Sequence, residues 1–227
     1  QIAFTTDSFV VTPLIFGNGD IGKIAVCGTV NDLAVSGARP LYLTLSLIIE
    51  DGMPISELSA IIESVRDTAI AADVKIVAGD TKVVGKGEAD RLFINTAGVG
   101  VIERAPVSIK NVRPGQKIIL SGFIGNHSIH LLSLREGLGF ERNILSDCAP
   151  LNAMIHQLID AVPAGKIASM RDVTRGGLSA VLHEHARAAK HEMRCERQSL
   201  PIQPETAMAA NMLGVDVINL ANEGCLC

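Results

Sequence analysis

The sequence predicts an α/β protein of two domains. Apolar, strand-like runs alternate with helical periodicities through its first half, the pattern of a sheet with packed helices. Near the middle of the 227 residues, Asn111-Val112-Arg113-Pro114-Gly115-Gln116 sets a Pro-Gly turn between apolar stretches. We place one domain at residues 1–112 and a second at 117–227. Hydrophobic residues make up 48% of the chain, yet no apolar run approaches the ~20 residues that span a bilayer. A soluble chain with tightly buried strands and no membrane association is expected.

Composition excludes some function classes. A net charge of −4 leaves no basic stripe, and 3% aromatic residues with no Trp leave few platforms for stacking bases, so nucleic acid is excluded as the main partner. Five cysteines, odd in number, scattered and without a CxxC, point to reduced thiols in a cytoplasm. No signal peptide is read. The start at Gln1 and the finish at Leu226-Cys227, just after an apolar stretch, read as those of a piece of a longer protein.

Taken in order, Ile2 to Val11 is β-branched and aromatic around Thr5-Thr6-Asp7-Ser8, a strand with one buried or ligand-facing carboxylate, Asp7. Gly17-Asn18-Gly19-Asp20-Ile21-Gly22 matches a dinucleotide-loop pattern, but Arg39 and Pro40 stand where that fold needs an acid, so the stretch reads as a loop into an N-cap at Asp20. The helix that follows runs to Ser36 with Gly37 as C-cap. Ile21, Ala25, Gly28 and Asp32 share one stripe, which puts a carboxylate among small and apolar residues; it is either a metal or phosphate ligand or an Asp bonded within the packing. Leu41 to Ile49 alternates as a half-buried strand. A helix N-capped at Ser56 turns Leu58, Ile61, Ile62, Val65 and Ala69 inward. The strand Val74 to Ala78 then runs out at Gly79-Asp80-Thr81-Lys82. Asp80 and Lys82, two apart, point to one side and read as a local ion pair or as a carboxylate and amine facing one ligand. Arg91 to Glu103 is a long strand whose Asn95-Thr96-Ala97-Gly98 allows close backbone approach.

In the second domain, Lys117 to Leu120 reads as a short strand, and Ser121 to His127 as a turn into a helix through Arg135. His127 and His130 read as ordinary polar helix residues. A helix from Pro150 to Asp160 turns Leu151, Met154, Ile155 and Leu158 inward. Asp172-Val173-Thr174-Arg175-Gly176-Gly177 leads into the helix Leu178 to Lys190, a helix N-terminus suited to an anion. His183 and His185 face different directions, which excludes a metal pair. Glu205 to Leu213 is a helix closed by Gly214, and Val215 to Leu220 a strand ending in Ala221-Asn222-Glu223-Gly224.

Six of these motifs stand in register: Thr6-Asp7-Ser8, Asn31 to Ala38, Gly79 to Val84, Asn95 to Gly98, Asp172 to Gly177 and Asn222 to Gly224. Together they resemble the ATP-binding superfamily of aminoimidazole ribonucleotide (AIR) synthetase, selenophosphate synthetase and thiamine phosphate kinase. The Gly79-Asp80-Thr81-Lys82-Val83-Val84 form is similar to the HypE family of hydrogenase maturation proteins, the carbamoyl dehydratases. The resemblance implies a PurM-like (AIR synthetase-like) fold. Its N-terminal four-stranded half-barrel with helices pairs with a twin into a homodimer around a shared barrel, and an incomplete α+β domain follows. The implied cofactors are ATP, lying between the domains, and Mg2+. Asp7, Asp32 and Asp80 would hold the metal and triphosphate. Gly79, Thr81, Asn95, Thr96, Asp172, Thr174, Arg175 and Gly176 would complete the ATP site.

The implied activity is that of a lyase, the ATP-dependent dehydration of a carboxamide on the protein's own C-terminal cysteine to a thiocyanate. Lys82 and Glu223 would carry the proton transfers. A HypF-like carbamoyltransferase would load the cysteine, and HypC- and HypD-like iron-scaffold proteins would receive the cyano group, all in the cytoplasm. Rival readings are a selenophosphate synthetase-like sister enzyme or, for the chain as given, a docking scaffold. The family's glycine-rich segment and cysteine tail are absent here, and Cys225 and Cys227 read as core or pocket-lining thiols on an internal strand. At Gly125-Asn126-His127-Ser128, Asn and Ser stand where the family has Asp and Gly.

Overall fold

A computed structural model describes residues 1–103 and 107–227. The first half folds in the order β1 (Ile2–Phe9), β2 (Ile15–Phe16), β3 (Gly19–Asp20), α1 (Ile21–Val35), β4 (Ala38–Glu50), α2 (Ile55–Ala71), β5 (Lys75–Val84) and β6 (Leu92–Ile102). Four of the strands form one sheet in the order β1-β6-β4-β5, with β5 parallel to β4 and the other pairs antiparallel. The alternation in β6 shows how the sheet is built: Leu92, Ile94, Thr96 and Gly98 are buried while Phe93, Asn95, Ala97 and Val99 are only partly so. The first set meets α1; the second lies on the sheet's other face, where Tyr42 and Ile48 of β4 and Phe4 of β1 are exposed. β1 and β5 are the two free edges.

α1 is buried on nearly every side, 13 of its 15 residues lying out of solvent. Asp20 caps it by accepting from the Lys23 amide at 2.9 Å, as the loop reading expects. The preceding residues form the β2–β3 hairpin, an element without a sequence signal beyond its glycines. The hairpin drives Phe16 fully into the core, burial worth about 1.5–3 kcal/mol.

Several expected details differ. α2 begins after Pro54, whose carbonyl accepts from the Glu57 and Leu58 amides, so Ser56 lies inside the helix rather than at its cap. Ile62 is exposed. β5 does not run out at Gly79; parallel pairing with β4 carries it to Val84. Gly79 is required there by the close approach of β4, because a Cβ would lie 2.4 Å from the Leu45 carbonyl oxygen.

The second half contains α3 (Asn126–Glu136), α4 (Asn152–Ala161), α5 (Gly177–Ala189) and α6 (Pro204–Leu213) around a core that includes Ile124, Ile129, Ile144, Val173, Leu178 and Cys225. Two expected strands are absent. Lys117 to Leu120 is irregular, since a strand needs a ladder partner and backbone pairing with the Leu226 segment begins only at Ser121, whose amide donates to Leu226 O. Val215 to Leu220 contains a 3-10 turn, Val217–Asn219, capped by the Asp216 carboxylate on the Ile218 amide. In α4, Ile155 is buried but Met154 and Leu158 are each 38% exposed, so the inward face is narrower than the four apolar residues suggest. His127 and His130 are not ordinary surface residues. Both are buried with their rings edge-on to Phe16, and their Nδ1 atoms bond Ser146 Oγ (2.8 Å) and Ile144 O (2.7 Å). Among the described residues, no helix is long and apolar enough to cross a membrane.

Candidate functional site

The site lies on the seam where α1 and β1 meet the second half. Asp7 shares the α1 face of the sheet with its partner Thr96, and Gly28 of α1 passes just above it. Thr5, two residues earlier on the same face, donates its hydroxyl to Asp32 Oδ2 at 3.0 Å. Burial pushes the Asp32 carboxyl up to about 6; the negative charges of Asp172 and Asp7 add to the rise, while the Thr5 hydrogen bond and the Arg171 charge oppose it. Glu223, from the turn after the 3-10 segment, is pushed up to about 8, first by burial and then by Asp147, Asp172, Asp7 and Asp32. Five carboxyl groups, three from the second half and two from the first, thus face a common region. A neutral Glu223 at pH 7 is the result.

Asp172 enters through a two-sided junction. Arg171 N donates to Cys227 O (2.8 Å), Cys227 N to Arg171 O (2.7 Å) and Val173 N to Cys225 O (2.9 Å), with an isolated bridge at Asp172 and Leu226. Cys225 is consequently buried, as the core reading expects, with Cys227 packed beside it on this short junction rather than on a strand. Thr174 Oγ1 donates to Asp172 Oδ2 at 2.8 Å. Gly176 and Gly177 both have positive φ at the start of α5, and Arg175 is exposed beside them.

Asn222 is fully buried. Its side chain accepts from Gly125 N (2.7 Å) and donates to Val173 O (2.9 Å), so it ties the start of α3 to the junction.

Not every expected site residue converges here. Asp80 and Lys82 pair with Ser46 and Ile48 on the sheet face opposite to Asp7 and Asp32. They form an exposed ion pair at 3.1 Å, and the Lys82 hydrogen bond holds the Asp80 carboxyl below its usual range. Gly79 and Thr81 lie on the same edge strand. Asn95 spends its amide on β1, donating to Asp7 O (2.8 Å) and Ser8 Oγ (3.0 Å). The Thr96 hydroxyl is buried between Thr29 Oγ1 and Ala25 O of α1. Among the described residues, no group of three or more His, Cys, Asp or Glu side chains is arranged to hold a metal ion within one chain.

Two features escape sequence reasoning. Asp147 sits in Ser146-Asp147-Cys148-Ala149-Pro150, with no local pattern to mark it, yet it meets the Glu223 turn. Cys148 shares a hydrogen bond with Cys27 of α1, and that bond together with burial raises its thiol pKa well above the usual range. Such a pair behaves as a packed contact between the halves rather than as a reactive thiol.

Residues 1–102 match the N-terminal domain of AIR synthase related protein, and residues 113–227 its C-terminal domain. The chain belongs to the AIR synthase related protein family. Among relatives in it, carbamoyl dehydratase HypE of Escherichia coli (strain K12) is 45% identical over 99% of this chain and 66% of its own length. The chain thus spans about two thirds of that relative. A crystal structure of a HypE-HypF complex superposes with a TM-score of 0.95 at 48% identity, covering 99% of this chain and 73% of that one. A crystal structure of HypE in complex with ATP gives a TM-score of 0.96 at 40% identity, covering 100% and 67%. The family fold accounts for the four-stranded sheet with its helices on one face and the helical second half packed on α1.

Proposed function

We propose that the chain is the ATP-handling part of a carbamoyl dehydratase that turns a cysteine-bound carboxamide into a thiocyanate for hydrogenase maturation in the cytoplasm. The observation that carries this reading is the meeting of Glu223, protonated at neutral pH, with the carboxyl groups of Asp7, Asp32 and Asp172 on one seam. Similarity to HypE, including a relative bound to ATP and one in complex with HypF, supports the same assignment.

Magnesium is commonly held by one or two carboxylates with substrate phosphates completing its shell. Asp7 and Asp32 fit that role, since mutual repulsion and burial leave Asp32 short of a cation. When bound, magnesium and ATP supply charge neutralisation and a phosphoryl group that makes the carboxamide oxygen a good leaving group. Thr5 holds Asp32 in place. At the start of α5 the exposed Gly176, with Arg175 beside it, would face an anion, while the Gly177 amide is spent on Thr174 O at 2.8 Å. In its ionised form, which a pKa near 8 leaves accessible, Glu223 would accept a proton from the amide nitrogen as the triple bond forms, with Lys82 as a second proton-transfer group.

The edge strand enters through a second copy. β1 and β5 are free edges, and the sheet face away from α1 exposes Phe4, Tyr42 and Ile48. Two sheets closing into one barrel would set β5 of one subunit beside β1 of the other, bringing the Gly79–Val84 backbone alongside the twin's Thr6-Asp7-Ser8. The partners are a homodimer mate, a HypF-like carbamoyltransferase, and HypC- and HypD-like iron scaffolds.

Mass spectrometry of the full-length protein after incubation with its carbamoylating partner and Mg-ATP tests the reading. Loss of the mass of one water from the carbamoylated tail cysteine is expected. An unchanged tail with continued ATP hydrolysis overturns it in favour of a free small-molecule substrate.

A further inference from the structure

Glu223 is only as well placed as the turn that carries it, and beside the bonds of Asn222 one side chain from outside the turn holds the next two amides. Asp147 Oδ1 accepts from Glu223 N at 3.0 Å and Oδ2 from Gly224 N at 3.1 Å. The contact is returned by the backbone, with Ala149 N donating to Glu223 O at 3.3 Å. The approach is so close that a Cβ on Gly224 would stand 1.8 Å from the Asp147 carbonyl oxygen. A carboxylate in this half-buried place costs more than an apolar residue, and its two backbone amides are the groups that offset the cost.

The same strap is tied at its other side to the first half. Asn18 bonds Ser146 twice, donating to its carbonyl (2.8 Å) and accepting from its amide (3.1 Å). Asn31 donates to Ala149 O (3.1 Å) and accepts from Leu151 N (2.7 Å). Asn31 directly precedes Asp32 in α1. One short segment, Ser146 to Leu151, therefore joins the helix that carries Asp32 to the turn that carries Glu223.

We propose that Asp147 is a positioning residue, holding the Glu223 turn in register with Asp32 and so setting the reach of the Glu223 carboxyl to the substrate amide. This rests on the reading of Glu223 as the proton-transfer group. A displacement of about 1 Å at such a group costs up to roughly 100-fold in rate.

The test uses the full-length protein with its carbamoylating partner and Mg-ATP. Asp147→Ala is expected to lower kcat about 10- to 100-fold with the KM for ATP held within about twofold. Asp147→Asn, which keeps one acceptor oxygen, recovers part of the loss. On a Glu223→Gln background, Asp147→Ala costs nothing further, because a residue acting only through Glu223 is non-additive with its removal. An Asp147→Ala variant of wild-type kcat, a loss confined to KM, or an additive loss on the Glu223→Gln background overturns the proposal. Should the alanine variant fail to fold, Asp147→Asn carries the test, and a wild-type kcat there overturns it too. Full activity of Glu223→Gln removes the reading of Glu223 and the proposal with it; an inactive Glu223→Gln beside an active Asp147→Ala removes the proposal alone.

Discussion

Two sets of acidic residues on this chain meet opposite fates. On the seam, Asp32 and Glu223 are crowded by burial and by like charges, and both bind protons far above their ordinary range. On the β5 edge, Asp80 is exposed, paired with Lys82 and shifted the other way. The seam is a place of unmet negative charge within one chain, which is what a magnesium-nucleotide site needs before its ligand arrives. The edge is electrostatically content and lies on the sheet's other face. In the proposed dimer it would gain a role only when a second chain covers it.

Asp32→Asn should break the seam most severely. The amide keeps the shape and can still accept the Thr5 hydrogen bond while removing the charge. Magnesium-dependent ATP turnover of the full-length protein should fall by about 100-fold or more, the scale of losing one group that stabilises developing charge. The variant should stay folded, with a melting temperature at neutral pH no lower than wild type, because a repelled carboxylate has been removed. Retained turnover ends the assignment of Asp32 to the metal.

Acidity probes the same seam more gently. The folded-state pKa values of about 6 for Asp32 and about 8 for Glu223 stand above the ordinary 3.8 and 4.5. Between these limits the folded chain holds protons that the unfolded chain has released, so stability falls as pH rises through the window and is greatest at its acid end. Thermal unfolding in a chelator should show this decline from about pH 5 to about pH 8, on the order of a few kcal/mol after allowance for the partial exposure of Asp32. Magnesium with a nucleotide should flatten the alkaline side. Curves that coincide with and without the metal would show that no cation binds among these carboxylates.

How far the sequence revealed this arrangement depends on the range of the interaction. The alternation of Leu43, Leu47 and Ile49 and the cap at Asp20 are local, and the structure has both. Asp32 stood out because a charge fell on an apolar stripe. Asp147 could not stand out: its meaning comes from amides 76 and 77 residues away. The missing strands failed for the same reason, since Lys117 to Leu120 is strand-like in composition but has no ladder beside it. His127 and His130 were misjudged because Phe16, the ring that buries them, arrives from a two-residue hairpin strand more than 100 positions earlier. Period two sets Asp80 and Lys82 on one side, as the structure has them, but which face of the sheet they occupy depends on β4, and in the proposed dimer the cover of that face would come from another chain.

The smallest structural effect is expected at that edge, and it gives the sharpest division between the two regions. Lys82→Ala and Asp80→Ala each remove an exposed ion pair, which contributes little to folding. The melting temperature of the isolated chain should therefore not move. If β5 of one subunit completes the seam of its twin, the same Asp80→Ala change abolishes turnover in the full-length protein, as does Asp7→Ala. Mixing the two variants and letting subunits exchange then creates heterodimers in which one site carries both changes and the other carries neither. Activity should return to roughly a quarter of wild type at equal mixing, since about half the dimers are mixed and each has one intact site. No recovery, with subunit exchange shown independently, would place Asp80 and Asp7 in the same chain's site or leave Asp80 out of it, and the opposition between seam and edge would have to be redrawn within a single subunit.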